Sequence, residues 1–215
     1  MKYIMLLTVF FSSSVFASEF DKSMALAKKG DPKAQSNLGV MYAYGNGVAA
    51  NDAEAVKWYR MAADQGNATA QSNLGRMYAK GEGVTKDYRE AMRWYRKAAS
   101  KGHAYGQYNL GNAYDKGEGV LEDNAEAVRW YRKAAKQGLN LAQYNLGLMY
   151  ATGTGLAANS ERAYVWWSIA KALGIERATS SLESLKSNYM MTEKQIRHAQ
   201  ALAAKCYESD YKDCD

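Results

Sequence analysis

Two closely spaced glycines raise the question of a phosphate-binding loop. Gly81 and Gly83 flank one residue in the stretch YAKGEGVTKD, residues 78–87, and a glycine turn that leads into a helix can hold a phosphate with backbone N–H groups. A nucleotide loop of this kind occurs once, after a buried strand. Here the pair recurs at 45/47, 117/119 and 153/155, each time after apolar residues at helical spacing. The pattern therefore predicts a turn between two helices, and we expect no cofactor.

Serine–lysine pairs are the next candidates for chemistry. Ser168 and Lys171 have the Ser-x-x-Lys spacing of penicillin-recognising sites, and so does the stretch SDYK that begins at Ser209. Those sites also use Ser-Asp-Asn and Lys-Thr-Gly elements, and neither occurs in the chain. The chain also lacks the G-x-S-x-G and H-E-x-x-H signatures of other hydrolases. We therefore predict no catalytic residues and no enzyme activity.

The two cysteines and two histidines do not form a metal-binding pattern. Cys206 and Cys214 lie in the tail, and neither His103 nor His198 has a recognised ligand spacing to them. Two such cysteines in an exported protein usually form a disulfide. We predict a Cys206–Cys214 disulfide, no metal site, and a surface or packing role for each histidine.

The first residues are typical of an export signal. MKYIMLLTVFFSSSVFA has a positive charge at Lys2, an apolar run to Phe11, and Val15 and Ala17 at the −3 and −1 positions of a cleavage site. The run is far shorter than the about 20 residues that span a bilayer. We expect a signal peptide over 1–17 and a periplasmic or secreted protein without a membrane span. The net charge of +6 is modest and its signs are interleaved, so we expect no nucleic-acid partner.

A 36-residue repeat organises the rest of the chain. Four residue types recur at this interval: Gly30, Gly66, Gly102, Gly138 and Gly174; Gln35, Gln71, Gln107 and Gln143; Leu38, Leu74, Leu110 and Leu146; Trp58, Trp94, Trp130 and Trp166. Such a period is typical of stacked supersecondary units. We place four repeats at 31–66, 67–102, 103–138 and 139–174, an N-terminal capping helix at 18–30, and C-terminal capping helices with the cysteine-containing tail at 175–215.

Each repeat predicts a first and a second helix. Strong N-cap types start the second helix in every repeat, at Asn51, Asp87, Asp123 and Asn159. Glu54, Glu90 and Glu126 occupy the N3 position of a capping box, whereas the fourth repeat has Arg162 there. Glycines at 39, 75, 111 and 147 lie inside the first helix, where each costs about 1 kcal/mol relative to alanine. We expect them to permit close packing against the tryptophan and tyrosine of the second helix.

The repeated pattern resembles a known family. A-Q-x-N-L-G-x-M-Y, then G-x-G-V, then D-x-x-E-A-x-x-W-Y-x-x-A-A-x-x-G is similar to Sel1-like repeats, relatives of tetratricopeptide repeats, over Asp31 to Gly174. The resemblance implies an all-α fold, a right-handed superhelical solenoid of antiparallel helix pairs that binds other proteins. It also implies a scaffold or adaptor of the bacterial cell envelope, which we expect to be monomeric.

Two other functions stay open at this point. One is a secreted factor that acts on host proteins. The other is a β-lactamase or penicillin-binding type hydrolase, an activity associated with some cysteine-rich relatives. Those relatives carry cysteine pairs within their repeats, whereas this chain does not.

Columns that vary between repeats indicate where a partner binds, because every repeat must solve the same packing problem. The variable face of the first helices is basic near Arg76 and becomes aromatic and aliphatic further along the chain. In solenoids the first helices line the concave surface, so we predict binding there. We call the predicted binding residues the first-helix stripe: Arg76, Lys80, Tyr105, Tyr108, Asn109, Asn112, Lys116, Leu141, Tyr144, Asn145 and Leu148.

The stripe includes two members of an asparagine column that is identical in all four repeats. Asn37, Asn73, Asn109 and Asn145 could hold a peptide backbone through their side-chain amides. A structural hydrogen bond to a neighbouring repeat or loop explains the identity equally well. We favour the structural interpretation, because most side-chain hydrogen bonds go to nearby backbone or water.

Overall fold

The computed structural model describes residues 19–188, 191–212 and 214. In these residues the protein forms eleven helices and no strand. The described part of α1 covers residues 19–28, and the helices that follow are α2 Pro32–Tyr44, α3 Asp52–Asp64, α4 Ala68–Lys80, α5 Tyr88–Ser100, α6 Ala104–Lys116, α7 Asn124–Ala135, α8 Asn140–Thr152, α9 Ser160–Ala172, α10 Arg177–Asn188 and α11 Glu193–Glu208. The predicted all-α helix-pair fold is confirmed. The predicted signal peptide lies outside the described residues.

The helices belong to two compact units, one that ends at Lys101 and one that begins at Gly102. In the first unit, α2 packs on α3, α3 on α4 and α4 on α5. In the second unit, α6, α7, α8 and α9 pack in the same consecutive way, and α9 also contacts both α10 and α11. Each unit is therefore built from neighbouring helix pairs, as the repeat predicts.

The second helices begin at the predicted N-caps, but they form only half of the predicted capping box. The Asn51 side chain accepts a hydrogen bond from the Glu54 N–H at 3.1 Å. The Asn51 N–H donates to the carbonyl of Tyr42 in the preceding first helix at 2.8 Å, so it is not available to a glutamate. Glu54 pairs with Lys57 instead. The N-caps of α5 and α7 donate to the matching tyrosine carbonyls, so the prediction of a complete box at α3, α5 and α7 was wrong. The N-cap of α9, where no box was predicted, donates to the Tyr150 carbonyl in the same way. Within the described residues, a complete box is present at α11, between Thr192 and Gln195.

The glycine inside each first helix lies directly under an aromatic ring. A Cβ at Gly75 would be 2.6 Å from Cδ1 of Tyr95 and 3.1 Å from the carbonyl oxygen of Ala91. Equivalent contacts join Gly39 to Tyr59, Gly111 to Tyr131 and Gly147 to Trp167. The expected close approach is confirmed. The ring comes from the column that holds tyrosine three times and tryptophan once.

The paired glycines form the predicted turn and also stack the repeats. Gly81 ends α4 in a left-handed conformation with φ of 76°, and its N–H donates to Met77 O. Gly83, at φ of 66°, lies on the backbone of the preceding repeat, where a Cβ would be 2.7 Å from the Ala53 nitrogen. The second glycine is therefore needed for contact between repeats, and the turn interpretation of Gly81 and Gly83 is confirmed.

Buried glutamines join successive repeats through their side chains. Nε2 of Gln71 donates to the Ala63 carbonyl at the end of α3, at 3.0 Å. Elsewhere the glutamine Oε1 accepts from a second glutamine, as in the 2.7 Å bond from Gln65 to Gln35. The residue equivalent to Gln65 in the next repeat is Lys101. As a result, Oε1 of Gln71 is buried without a hydrogen-bond partner in the described part of the chain.

Candidate protein-interaction site

In the first unit, the basic residues of the first-helix stripe are paired within the protein. Arg76 and Lys80 lie in the last two turns of α4. Both reach Glu82 in the glycine turn, with N···O distances of 2.6 Å from Arg76 and 3.2 Å from Lys80. Glu82, a residue of the same repeat, therefore compensates one of the two positive charges that the sequence places here.

In the second unit, α6 presents one exposed tyrosine and one that belongs partly to the core. Tyr105 is 53% exposed. The ring of Tyr108 lies 6.0 Å from the ring of Tyr131 and packs against the core of this unit. Lys116 is exposed in the last turn of α6, and Asn109 is half-buried. Among the described stripe residues of α6, only the exposed Tyr105 and Lys116 therefore have no packing role.

The asparagines of the second unit surround a buried tyrosine hydroxyl. Tyr131 donates to Asn112 Oδ1 at 2.6 Å and lies 3.2 Å from Asp115 Oδ2. Asn145 donates to the same Asn112 oxygen at 3.3 Å. Burial raises the pKa of Tyr131 strongly, the Asp115 carboxylate raises it further, and a hydrogen bond from Asn145 lowers it. The hydroxyl therefore stays protonated as a donor, and these contacts favour a structural role for Asn145.

The first unit lacks this arrangement around Tyr59, because Val40 and Ala43 occupy the positions of Asn112 and Asp115. Asn73 faces Tyr59, whose pKa burial also raises. The Tyr59 hydroxyl nevertheless has no partner within hydrogen-bond geometry in the described residues. Asn73 is therefore a neighbour of this hydroxyl and not its hydrogen-bond partner.

On α8, three members of the first-helix stripe differ in their surroundings. Leu141 packs against the core of the second unit, and Leu148 is 42% exposed. The Tyr144 ring lies 6.1 Å from the ring of Trp167. The guanidinium of Arg177 lies 4.0 Å from the centre of the Tyr144 ring. The Tyr144 hydroxyl is 3.3 Å from Ser181 Oγ. Tyr144 is therefore partly covered by α10, a helix outside the four predicted repeats.

Helix α10 continues the first-helix columns, which the sequence analysis missed. Adding 36 to the stripe positions 141, 144 and 148 gives Arg177, Ser180 and Ser184. The same step takes the buried Ala142 and Leu146 to Ala178 and Leu182, which are also buried. Extending the repeat by one first helix would have found these residues. The loss of the tryptophan and glycine motifs after Gly174 hid this continuity.

A cavity opens between α8 and α10 beside Tyr144. Its walls are Leu148, Ala151 and Thr152 from α8 and Ser180, Ser181, Ser184 and Leu185 from α10, with Trp167 of α9 also lining it. The Trp167 indole N–H donates to the Tyr144 carbonyl at 3.0 Å. The bottom of the cavity is therefore held by the same ring that packs on Gly147.

The tail helix α11 covers the outer face of α9. His198 Nδ1 lies 3.0 Å from Glu161 Oε2, and Arg162 donates to the Cys214 carbonyl at 2.7 Å. Cys206 and Cys214 form the predicted disulfide, with a Cα–Cα distance of 4.6 Å. The hydrogen bond from Arg162 to the Cys214 carbonyl explains why the fourth repeat has Arg162 in place of the N3 glutamate. A disulfide of this kind is typical of proteins outside the cytoplasm.

The sequence contained a signal for this docking. In α9, Val165 and Ile169 occupy the positions that hold the exposed Arg93 and Lys97 in α5, and both are buried. Apolar residues on an otherwise charged outer face indicate that another element covers them. Ser168, of the first serine–lysine pair, lies on this same helix, next to Ala203, Ala204 and Tyr207 of α11.

His103 is placed at a helix start, in keeping with the packing role expected for it. Its Nδ1 accepts a hydrogen bond from the Gly106 N–H at 3.1 Å and forms the N-cap of α6. Burial lowers the pKa of His103. Across the described residues, no group of three potential metal-ligating side chains occurs, and no helix there is long and apolar enough to cross a membrane.

Comparison with a family model settles the nature of the repeats. The model of the Sel1 repeat matches residues 32–67, 68–103, 104–139 and 140–175. This chain belongs to the Sel1 repeat family. Sel1 repeat proteins are generally scaffolds for protein interactions.

Solved structures support the same assignment. A Sel1 repeat protein from Oxalobacter formigenes is 35% identical, with a TM-score of 0.74 over 86% of this chain and 75% of its own. The protein c5321, described as a protective antigen present in uropathogenic Escherichia coli strains and displaying an SLR fold, is 37% identical with a TM-score of 0.75. That match covers 92% of this chain but only 42% of c5321.

A more distant structure shares only the fold. The immunity protein Pa5087 from Pseudomonas aeruginosa is 20% identical, with a TM-score of 0.54 over 91% of this chain and 75% of its own. No curated protein sequence matches this Sel1 repeat protein.

Proposed function

We propose that this Sel1 repeat protein is a non-enzymatic scaffold or adaptor of the bacterial cell envelope that binds a partner protein on its first helices. The observation that carries the proposal is the exposure of large apolar side chains on helices whose other faces are packed. Tyr105 is 53% exposed and Leu148 is 42% exposed, and both occupy columns that differ in every repeat. Exposed aromatic and aliphatic residues are enriched where proteins recognise one another.

The disulfide and the predicted export signal support an envelope location. The disulfide joins Cys214 in the tail to Cys206 on α11, and such bonds persist in oxidising compartments. The signal-like residues 1–17 point the same way. A secreted factor is the second candidate, and the description of c5321 as a protective antigen makes a protein that leaves the cell worth testing. Cell fractionation distinguishes the two compartments.

Affinity capture with matched variants tests the proposed binding surface. Residues 18–215 are used as bait for envelope and culture-supernatant extracts. The test variant is Tyr105→Ser with Leu148→Ser. The control variant is Tyr207→Ser with Leu121→Ser, since Tyr207 is 53% exposed and Leu121 is 89% exposed but neither lies on a first helix. Tyr108 and Tyr144 are unsuitable for this test because both pack against the core.

The two variants separate a binding role from general stickiness. We expect a partner that is retained by the control variant and lost with the test variant. A partner lost equally with both variants would contradict binding on the first helices. Hydrolysis of a β-lactam by the purified protein would contradict the non-enzymatic scaffold.

A further inference from the structure

The groove between α8 and α10 combines an apolar cavity with a cation at one end. Leu148, Ala151 and Leu185 supply apolar walls, Trp167 lies among them, and Ser180 and Ser184 form an exposed hydroxyl rim. Arg177 lies one turn before Ser180 and Ser181 on α10 and contacts Tyr144, which lies one turn before Leu148 on α8. The cavity and the guanidinium of Arg177 therefore lie next to each other along the same groove.

Arg177 differs in its partners from the three repeat arginines that pair with a glutamate. Arg76, Arg93 and Arg129 each pair with a glutamate. Arg177 is exposed, and within residues 19–188, 191–212 and 214 the structure shows no acidic partner for it. Its guanidinium is held against the Tyr144 ring at 4.0 Å. A ring contact of this kind fixes the orientation of the planar guanidinium, which can then take a carboxylate through two parallel hydrogen bonds.

We propose that this groove is a subsite for an extended acidic peptide, which places an apolar side chain in the cavity and an Asp or Glu side chain on Arg177. The proposal rests on the proposed function, because it names the kind of partner that the first-helix surface receives. The apolar walls favour the apolar side chain of the peptide because it is buried there. The positive charge of Arg177 favours the Asp or Glu side chain. Ser180 and Ser184 offer hydroxyl oxygens as acceptors for peptide N–H groups.

The helix geometry sets the spacing of the two side chains. From Tyr144 to the cavity residues 148–152 is four to eight residues along α8, which is about 6–12 Å at a rise of about 1.5 Å per residue. In an extended chain, residues two or three apart are separated by about 7–10 Å. The expected motif is therefore an acidic residue two or three positions from a Leu, Ile, Met or Phe.

A displayed peptide library tests this motif without knowledge of the natural partner. Peptides fused at their C-terminal end to a phage coat protein are panned against oxidised protein of residues 18–215. Such fusions have no free C-terminal carboxylate, so a selected acid must be a side chain. Enriched sequences are then made as acetylated and amidated peptides, and their binding is measured by fluorescence polarisation at low and physiological salt.

Charge reversal at Arg177 tests whether this residue binds the acidic side chain of the peptide. Arg177→Glu is expected to weaken binding of the acidic peptide at least tenfold and to improve binding of the same peptide with Lys in place of its acid. Arg89→Glu is the matched control, because Arg89 is also an exposed arginine in the first turn of its helix. Ser184→Phe, which fills the cavity, is expected to weaken binding at least tenfold as well. Circular dichroism verifies that each variant is folded.

The outcomes separate the subsite from the proposed function. Peptides that bind with equal affinity to the wild type, Arg177→Glu and Ser184→Phe would overturn the subsite, and so would a library that yields no enriched acidic–apolar motif. In either case, loss of a captured partner with Tyr105→Ser and Leu148→Ser would still support binding on the first helices. Binding that requires a free C-terminal carboxylate would also overturn the assignment of an acidic side chain.

Discussion

Replacing Gly75 with alanine is expected to destabilise the protein, although alanine is the better helix former. Gly75 lies inside α4, where the change should gain about 1 kcal/mol from helix propensity. The added Cβ would be 2.6 Å from Cδ1 of Tyr95 and 3.1 Å from the Ala91 carbonyl oxygen. Carbon atoms normally approach to about 3.5–4.0 Å. The ring must therefore move by about 1 Å.

The surroundings of Tyr95 make this movement costly. The tyrosine is only 6% exposed, and the contact is with the body of its ring rather than a flexible end. Overpacking of this kind costs about 1–3 kcal/mol. Because the Ala91 carbonyl also restricts the new methyl group, we expect the upper part of that range. After the gain in helix propensity, the net destabilisation of Gly75→Ala should be about 1–2 kcal/mol.

A double-mutant cycle with Tyr95→Leu isolates the contact. The free energy of unfolding is measured by urea denaturation for the wild type, the two single variants and the double variant, followed by circular dichroism and tryptophan fluorescence. Two probes are needed because repeat proteins can unfold in parts. With the planar ring removed, Gly75→Ala should become neutral or stabilising, which gives a coupling energy of about 1–3 kcal/mol.

A second glycine offers an internal comparison. At Gly111 the added Cβ would be 2.8 Å from the Tyr131 ring and 3.4 Å from the Ala127 carbonyl oxygen, so Gly111→Ala should cost less than Gly75→Ala. If Gly75→Ala stabilises the wild type by about 1 kcal/mol, or has the same effect with and without the Tyr95 ring, the account of the first-helix glycines is incorrect.

Three further predictions follow from the described contacts. Removing the disulfide by Cys206→Ser should lower the free energy of unfolding by about 2–3 kcal/mol, from the chain entropy of its short loop; chemical denaturation under oxidising conditions measures this, and no loss would show that the tail does not stabilise the second unit. Lys101→Gln removes the exposed hydrogen bond from Lys101 Nζ to the Gly66 carbonyl but allows donation to the buried Oε1 of Gln71, so it should raise stability by about 0.5–1 kcal/mol; an unchanged urea midpoint would refute it. Stability should fall as the pH drops below about 6.5, the ordinary pKa of histidine, because burial places the pKa of His103 in the folded protein below that value. The stability that the neutral His103 ring contributes is present above the unfolded pKa and is lost as the pH falls through the folded pKa. Denaturation of His103→Asn across this range should show a flatter dependence, and an equal slope would assign the effect to other groups.

The sequence by itself determined the features that each repeat builds from nearby residues. The N-cap at Asp87, the glycine turn at Gly81 and the helix stripes depend on residues a few positions apart, so their patterns are readable in one dimension. The contact between Gly75 and Tyr95 was also predictable in outline, because a helix-breaking residue repeated four times needs a packing reason. The Cys206–Cys214 disulfide followed from the small number of cysteines.

Only the tertiary structure decided features that depend on competition between distant groups. The N-cap N–H of Asn51 could bond a glutamate or a carbonyl, and the neighbouring helix supplied the carbonyl. The charge of Arg76 was visible, but its compensation by Glu82 depends on how the turn folds back on α4. Arg162 and Cys214 are 52 residues apart, and no repeat relates them.

The first-helix stripe shows the same division. Its residues were identified from columns that vary, and variation is a property of sequence alone. Whether a side chain in such a column is exposed like Tyr105 or partly covered like Tyr144 depends on the element stacked beside it. For Tyr144 that element is α10, whose Arg177 becomes a neighbour only when the helices pack. Local propensities therefore determine the repeats, and the packing of their ends determines which of their residues remain available to a partner.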